Sequence, residues 1–474
     1  MKILKQNKGF ALTFSLIFLF LIVSFMAVYI LAVANGVSIA NRTANLKRAY
    51  YIADAGLADA YERITQAGVN TVATSTPYIP SASTDNGSYS VGSLKGSYTV
   101  NVTFSNNPRT NYTIVSTGTY NGVSKTLQLK IIGASISKYA YWSTTEINPA
   151  FGGPLWWVGA PGLEMLTNGP VQTNGQLNIF GNPIFNGPVT EANLPIVGNS
   201  LGSTPTSTTP NYYYGQGTSG LQSNPNIIFA GGIQNDAPAI NLPPTATLNS
   251  IQTVAADGQG LVLTGASTVI FNPTGTITVT GKVTNSSGAT TATYNNTTMA
   301  IPTNGVVYVK STTGQSDGNV TVQGTVKGQL TVAADQNIYL SGSVAYNTDP
   351  RTNPASTDML GLVANQNITV IEASAPTQLE VAAVMVALQG SFQVDQYWVN
   401  RGNATTAVMD QFGSLINYVC GATGEMDLSG NLLGGWNQIQ AYDTRLATLA
   451  PPGFPPYVNN QGYAVYNKVS ISEL

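Results

Sequence analysis

A run of 25 residues, Phe10 to Ala34 (FALTFSLIFLFLIVSFMAVYILAVA), constrains this chain more than any other feature. It is almost wholly apolar, and no charged residue interrupts the sequence between Lys8 and Arg42. Roughly 20 apolar residues cross the hydrocarbon core of a bilayer as a helix, so the segment can span one. Lys2, Lys5 and Lys8 all precede it. The positive-inside bias then puts residues 1–9 in the cytoplasm and everything after about residue 40 outside.

A secretory signal peptide fits this pattern poorly. Such a peptide has an apolar core of about 7–15 residues followed by a small-residue cleavage site. Here the core is longer, and the best small-residue junction, Gly9-Phe10, lies before it. The helical pattern also continues downstream. Leu46, Tyr50, Ala53, Leu57, Ala60, Tyr61 and Ile64 recur at three- and four-residue steps, with Lys47, Arg48, Asp54, Asp59, Glu62 and Arg63 between them. That is the apolar stripe of a helix lying against a folded domain. No proline interrupts residues 10–66, so one helix about 80 Å long is expected, with Gly68 as its stop.

The 474 residues allow two or three domains with their own cores. Charged residues are 8% of the chain and the net charge is −2, with no basic patch beyond the helix, so a nucleic-acid surface is not expected. Cys420 is the single cysteine, which leaves no intramolecular disulfide and no cysteine metal site. The chain contains no histidine. Ser-His-Asp and Cys-His catalysis and His-ligated zinc are thereby excluded. Neither a phosphate-binding glycine loop nor a dinucleotide fingerprint is present. Paired carboxylates remain as a catalytic option, with Glu164, Glu372, Glu380, Asp395, Asp410, Glu425 and Asp427 as sparse candidates. Isolated acids on a polar coil read first as solvated surface groups, so no enzyme activity is expected. No cofactor is expected either, although Asp317, Asp335 and Asp349 sit among Gly, Asn and Thr where calcium could bind at coil corners.

Beyond the helix, residues 67–86 form a Ser/Thr/Pro-rich connection. Alternating runs follow at Tyr89–Val91, Tyr98–Phe104, Tyr112–Ser116 and Lys125–Ile132, with the hairpin signal Asn121-Gly122 before the last. Residues 67–133 are therefore expected to form a small antiparallel sheet covered by the amphipathic half of the helix. From residue 134 to 474 the pattern changes to short strands ending in glycine, with a Pro-rich tail from about 445. Asn-Gly-Pro-Val occurs at 168–171 and again at 186–189, and Val320 and Ile338 head similar strands 18 residues apart. Leu261 and Ile277 head two more, 16 residues apart. Such spacings suggest the coils of a parallel β-helix, with a β-sandwich as the alternative. The fold class is thus mainly β, with one long N-terminal α-helix, a small antiparallel sheet and a β-helix.

The aromatic residues give the one binding signal. Trp142, Trp156, Trp157, Trp398 and Trp436 all lie beyond residue 140, joined by Tyr212, Tyr213, Tyr214 and Tyr397. Neighbouring strand residues face opposite sides, so in Trp156-Trp157 and Tyr397-Trp398 one ring of each pair is expected outside, as a platform for sugar faces or a partner protein. The structural alternative is that these rings plug the coil ends.

A short basic leader, the Gly9-Phe10 junction and an uninterrupted apolar helix together resemble the leader of type IV prepilins and pseudopilins. The passage Ala49-Tyr-Tyr-Ile-Ala-Asp-Ala-Gly-Leu-Ala-Asp-Ala60 is similar to the corresponding stretch of PilX-type minor pilins, with Asp54 where that family usually has Glu. The resemblance implies that a prepilin peptidase cuts after Gly9 and methylates Phe10, with a plain uncleaved anchor as the alternative. It also implies partners: the cytoplasmic membrane before assembly, then other pilins through the helix. Major pilins carry a glutamate five residues into the mature chain, and the position here is Phe14. A minor or tip subunit is therefore expected rather than a bulk one.

The second half resembles a domain of unknown function found behind such N-termini, through Asn168-Gly-Pro-Val-Gln-Thr-Asn-Gly175, Ala441-Tyr-Asp-Thr-Arg-Leu446 and Pro451-Pro-Gly-Phe-Pro455. In outline the whole is similar to tapirins, cellulose-binding surface adhesins. What the resemblances imply is a cell-surface, non-catalytic adhesin of minor or tip type, with plant polysaccharide as a ligand. Two alternatives stand beside it: an assembly or capping subunit contacting only pilins, and a polysaccharide-degrading β-helix enzyme.

Overall fold

The computed structural model describes residues 8–66, 87–92, 96–105, 111–151, 153–155, 157–159, 166–175, 177, 179–181, 184–192, 228–427, 431–454, 457 and 465–474. A single helix, α1 (Lys8–Gln66), runs for 59 residues. Its two halves differ in environment. From Leu12 to Ile39 the large apolar side chains are exposed, whereas Ala49, Ala53, Leu57, Ala60 and Ile64 are buried. The fully buried stripe begins at Ala49, three residues after the expected Leu46, which is only half-buried, and Tyr50 stays exposed. The reason is steric. A Cβ on Gly118 would lie 2.2 Å from the Ala49 carbonyl oxygen, so the helix backbone touches the sheet there and only small side chains fit between.

That sheet contains β1 (Gly87–Gly92), β2 (Gly96–Ser105), β3 (Asn111–Tyr120) and β4 (Val123–Gly133), antiparallel in sequence order. Asn121 (φ 47°) and Gly122 (φ 77°) make the β3–β4 turn, with the positive φ angles that a two-residue hairpin loop demands. Val100, Val102, Ile114, Leu127, Leu129 and Ile131 alternate along β2–β4 and pack with the helix stripe into one small core.

Among several shorter strands, those of the main stack begin with β5 (Tyr141–Thr145), β6 (Val171–Thr173), β7 (Val189–Ala192) and β8 (Ile233–Ala237), followed by α2 (Ala246–Ala255). Then come β9 (Leu261–Asn272), β10 (Thr276–Thr284) and β11 (Thr290–Ala300). After them lie β12 (Val306–Lys310), β13 (Val320–Val326), β14 (Gln329–Ala334), β15 (Ile338–Tyr346) and β16 (Met359–Ala364). The last members are β17 (Ile368–Val370), β18 (Gln378–Ala387), β19 (Phe392–Val394), β20 (Val408–Val419) and β21 (Asn437–Tyr442).

Two parallel ladders organise them. One runs β9–β12–β14–β16–β18–β20 and continues through β5 to β6, β7 and β8. The other runs β9–β13–β15–β17–β19. Parallel stacking of this kind is a β-helix and not the antiparallel arrangement of a sandwich. The predicted coil spacings are literal in two places: Val171 is the register partner of Val189, and Val320 that of Ile338. At the repeated Asn-Gly-Pro-Val corner a Cβ on Gly187 would lie 1.8 Å from the Gly169 carbonyl, so the stacked corner admits only glycine. Branched and small apolar side chains from both ladders fill the interior, with Leu248, Ile251 and Val254 of α2 packed into the same core.

Three features depart from the sequence reading. The strands headed by Leu261 and Ile277 are not successive coils: β9, β10 and β11 form an antiparallel meander. The turn at Thr274-Gly275 (φ 80°) reverses the chain before a coil can close. Strand β5 enters the stack in its middle, between β20 and β6. Finally, the chain end is not a tail of the β-helix. Strand β22 (Tyr466–Glu473) pairs antiparallel with β4, so the small sheet has five strands and the β-helix is inserted between the last two.

Candidate functional site

The first candidate surface is the exposed half of α1. Leu16, Phe18, Phe20, Phe25, Met26, Tyr29 and Leu31 project all round the helix, and Phe14 is 64% exposed among them. Its serines bond within the helix: Ser15 donates to the Leu12 carbonyl at 2.9 Å and Ser24 to that of Phe20 at 2.7 Å. Those hydroxyls therefore need no water, as an apolar surrounding requires. The segment is long and apolar enough to cross a membrane. Gly9 and Phe10 lie in the first turn of the helix. Residues 1–7 of the leader lie outside the described residues.

The nine aromatic candidates part company. Trp142, Trp157 and Trp436 are buried, which removes them from any exposed platform. Trp142 packs against Tyr139, and Trp157 meets the edge of Tyr141 with ring centroids 4.5 Å apart. Trp436 carries the Arg401 guanidinium 4.3 Å above its ring and donates its indole N–H to the Thr377 carbonyl at 3.0 Å. Trp142 and Trp157 are turned inward by their strands and Trp436 by the junction just before β21, a direction that sequence spacing in turn-rich stretches does not fix. Trp398 is the opposite case, 57% exposed, with Tyr397 edge-on at 5.2 Å. Leu433, also exposed, adjoins Gly434, which packs on the Trp398 backbone. Trp156, Tyr212, Tyr213 and Tyr214 lie outside the described residues.

Of the candidate carboxylates, Glu372, Glu380, Asp395, Asp410 and Asp427 are held by partners of this chain, and Glu164 lies outside the described residues. Glu380 and Asp410 are register neighbours on β18 and β20, and Arg351 bridges both of them and Asp349. Glu372 pairs with Arg401, and Asp395 accepts the Glu372 backbone N–H at 2.8 Å. The three acids considered for calcium do not converge. Asp317 accepts from the backbone N–H and hydroxyl of Thr312, Asp335 from Ser311 N–H and Tyr308, and Asp349 pairs with Arg351. Among the described residues no group of three Cys, Asp or Glu side chains is placed to hold a metal ion.

Sequence reasoning missed one buried polar cluster. Glu146 is fully buried just after β5, where Tyr141 Oη donates to it at 3.1 Å and Ser143 Oγ also donates. The thiol of Cys420, at the end of β20, lies against the same carboxylate. Burial pushes the Glu146 carboxyl above the usual carboxylate range, although the hydroxyl and thiol hydrogen bonds oppose it. The cluster sits where β20 meets β5, and no local motif announces it because its members come from distant segments.

No protein-family model matches this chain. No curated protein matches it either. Among solved structures, the competence-associated pilin ComZ from Thermus thermophilus overlays 91% of this chain and 98% of its own, with 13% identity and a TM-score of 0.32. A likeness that faint carries no weight beside the residues themselves.

Proposed function

We propose that this chain is a pilin-like subunit, anchored through α1, that presents a β-helix ectodomain as a non-catalytic adhesin. One observation carries the reading: a single helix offers a fully exposed apolar half and, without a break, becomes the spine of a small antiparallel sheet. An apolar helix surface of that length is stable only in lipid or against other apolar helices. The outer half thus serves first as membrane anchor and then as packing surface for neighbouring pilins, after prepilin-peptidase cleavage at Gly9-Phe10. The ectodomain hangs from the sheet by two adjacent strands, β4 and β22. Its exposed Trp398, braced by the half-buried Tyr397, supplies the flat ring that stacks on sugar faces, and a neutral plant polysaccharide such as cellulose is the ligand proposed.

A second reading has its own support. Burial of Trp142, Trp157 and Trp436 leaves a small aromatic surface, which suits an assembly or capping subunit that contacts only pilins. The full-length chain in detergent, pulled down on insoluble polysaccharides beside Trp398→Ala, separates the two. An adhesin binds and loses binding in the folded variant. A capping subunit binds neither way, and its deletion abolishes piliation.

A further inference from the structure

The structure assigns a second binding site, for an acidic sugar, to the cleft between the small sheet and the β-helix. This cleft has a volume of about 880 Å³, within the range of small-ligand pockets. Its walls come from three parts of the chain: Ile132 and Gly133 of β4 with Val469 of β22, the 301–305 and 327–329 turns of the β-helix, and the crossing segment 446–454.

Charge defines what fits. Lys138 and Lys327 both line the cleft, and no carboxylate is among the described residues that line it. The Lys138 ammonium lies 3.9 Å from the ring centroid of Tyr457 and 5.0 Å from that of Tyr139, and neither lysine forms an ion pair among the described residues. Two carboxylates lie behind the walls with donors of their own. Asp358 accepts from the Gly328 and Thr348 backbone N–H groups, and Asp257 from Gln259 N–H and the Asn304 amide. Burial lowers the Lys138 pKa, as expected of a half-desolvated cation without a counter-charge. An anion entering the cleft would supply one, at a place where the interaction is screened less than on open surface.

The remaining lining specifies the frame that carries the anion. Gln259 and Gln329 offer amides for hydroxyl groups, and Pro451 and Pro452 offer an apolar wall for the face of a ring. A polyhydroxylated ring bearing one oxyanion matches this combination, whether the oxyanion is a carboxylate or a phosphate. The inference is independent of the adhesin reading, because the cleft involves neither Tyr397 nor Trp398.

Calorimetry on the full-length chain in detergent tests it, with digalacturonate, glucose 6-phosphate and cellobiose as probes. Lys138→Gln/Lys327→Gln and a control, Lys310→Gln, are compared after their melting curves show that each is folded. Expected is binding of at least one acidic probe, none of cellobiose at the cleft, and a loss of about tenfold or more in the double variant alone. Whether digalacturonate or glucose 6-phosphate binds identifies the source of the oxyanion. Absence of heat from both acidic probes, or equal affinity in the double variant, overturns the site. Loss of polysaccharide pull-down in Trp398→Ala with acidic-sugar binding intact would show the two surfaces acting separately.

Discussion

Gly133 and Tyr466 are register partners on β4 and β22, although the whole β-helix lies between them in sequence. The β-helix is therefore tied to the helix-bearing module by two neighbouring strands rather than by one linker. Tyr466 makes this join part of a core. Its ring meets Tyr112 edge-on at 5.6 Å, and its carbonyl accepts the Tyr61 hydroxyl of α1 at 3.0 Å. Replacing Tyr466 by Ala is expected to destabilise the small module by about 3 kcal/mol, the usual cost of truncating a buried aromatic. Thermal unfolding followed by near-ultraviolet dichroism measures it, and an unchanged transition would mean that β22 is not docked.

The stacked corner at Gly169 and Gly187 gives a sharper steric test. Gly187→Ala puts a methyl group against the Gly169 carbonyl, and a loss of about 3 kcal/mol is expected because backbone must move. Gly288→Ala is the control. It has open space around it but φ of 83°, so only the left-handed backbone cost of about 1 kcal/mol applies. Urea unfolding of both variants should rank them in that order.

Trp398 and Trp436 should separate binding from stability. Trp436→Ala removes a buried ring under Arg401 and is expected to cost about 3–5 kcal/mol. Trp398→Ala, at an exposed position, should change stability by only about 0.5 kcal/mol. In the adhesin account it nevertheless loses polysaccharide retention. Melting temperatures and pull-downs on the same samples supply both readings.

Glu146 predicts an unusual pH dependence. Its folded-state pKa is raised by burial, so the native state keeps a proton that the unfolded chain has already released. The unfolded state then binds fewer protons, and stability falls as pH rises from the usual carboxylate range up to the folded pKa. Glu146→Gln should remove that slope. Chemical denaturation at a series of pH values from mildly acidic to neutral checks it; an identical slope in the variant would place the effect elsewhere.

Local patterns were legible where local physics decides. The helix expected over residues 10–66 is found at Lys8–Gln66, and Asn121-Gly122 turns as its residue types require. The spacings of Val171 to Val189 and Val320 to Ile338 mark true coils because a regular corner repeats with them. The same kind of spacing misled at Leu261 and Ile277, since a glycine turn can close a hairpin as readily as a coil. Long-range pairing left no local trace. The sequence of β22 alternates like any strand, and nothing in it names β4 as partner. The inward direction of Trp142 and Trp436 was hidden for a similar reason: burial depends on which coil lies above.

The N-terminal peptide of the chain recovered from the cell surface, weighed by mass spectrometry, decides whether α1 is a pilin-type spine. It should begin at Phe10 and carry one N-methyl group, with the whole apolar half of α1 retained. A peptide starting beyond Ala34, cut as a secretory signal would be, would remove that packing surface and contradict the pilin-like reading.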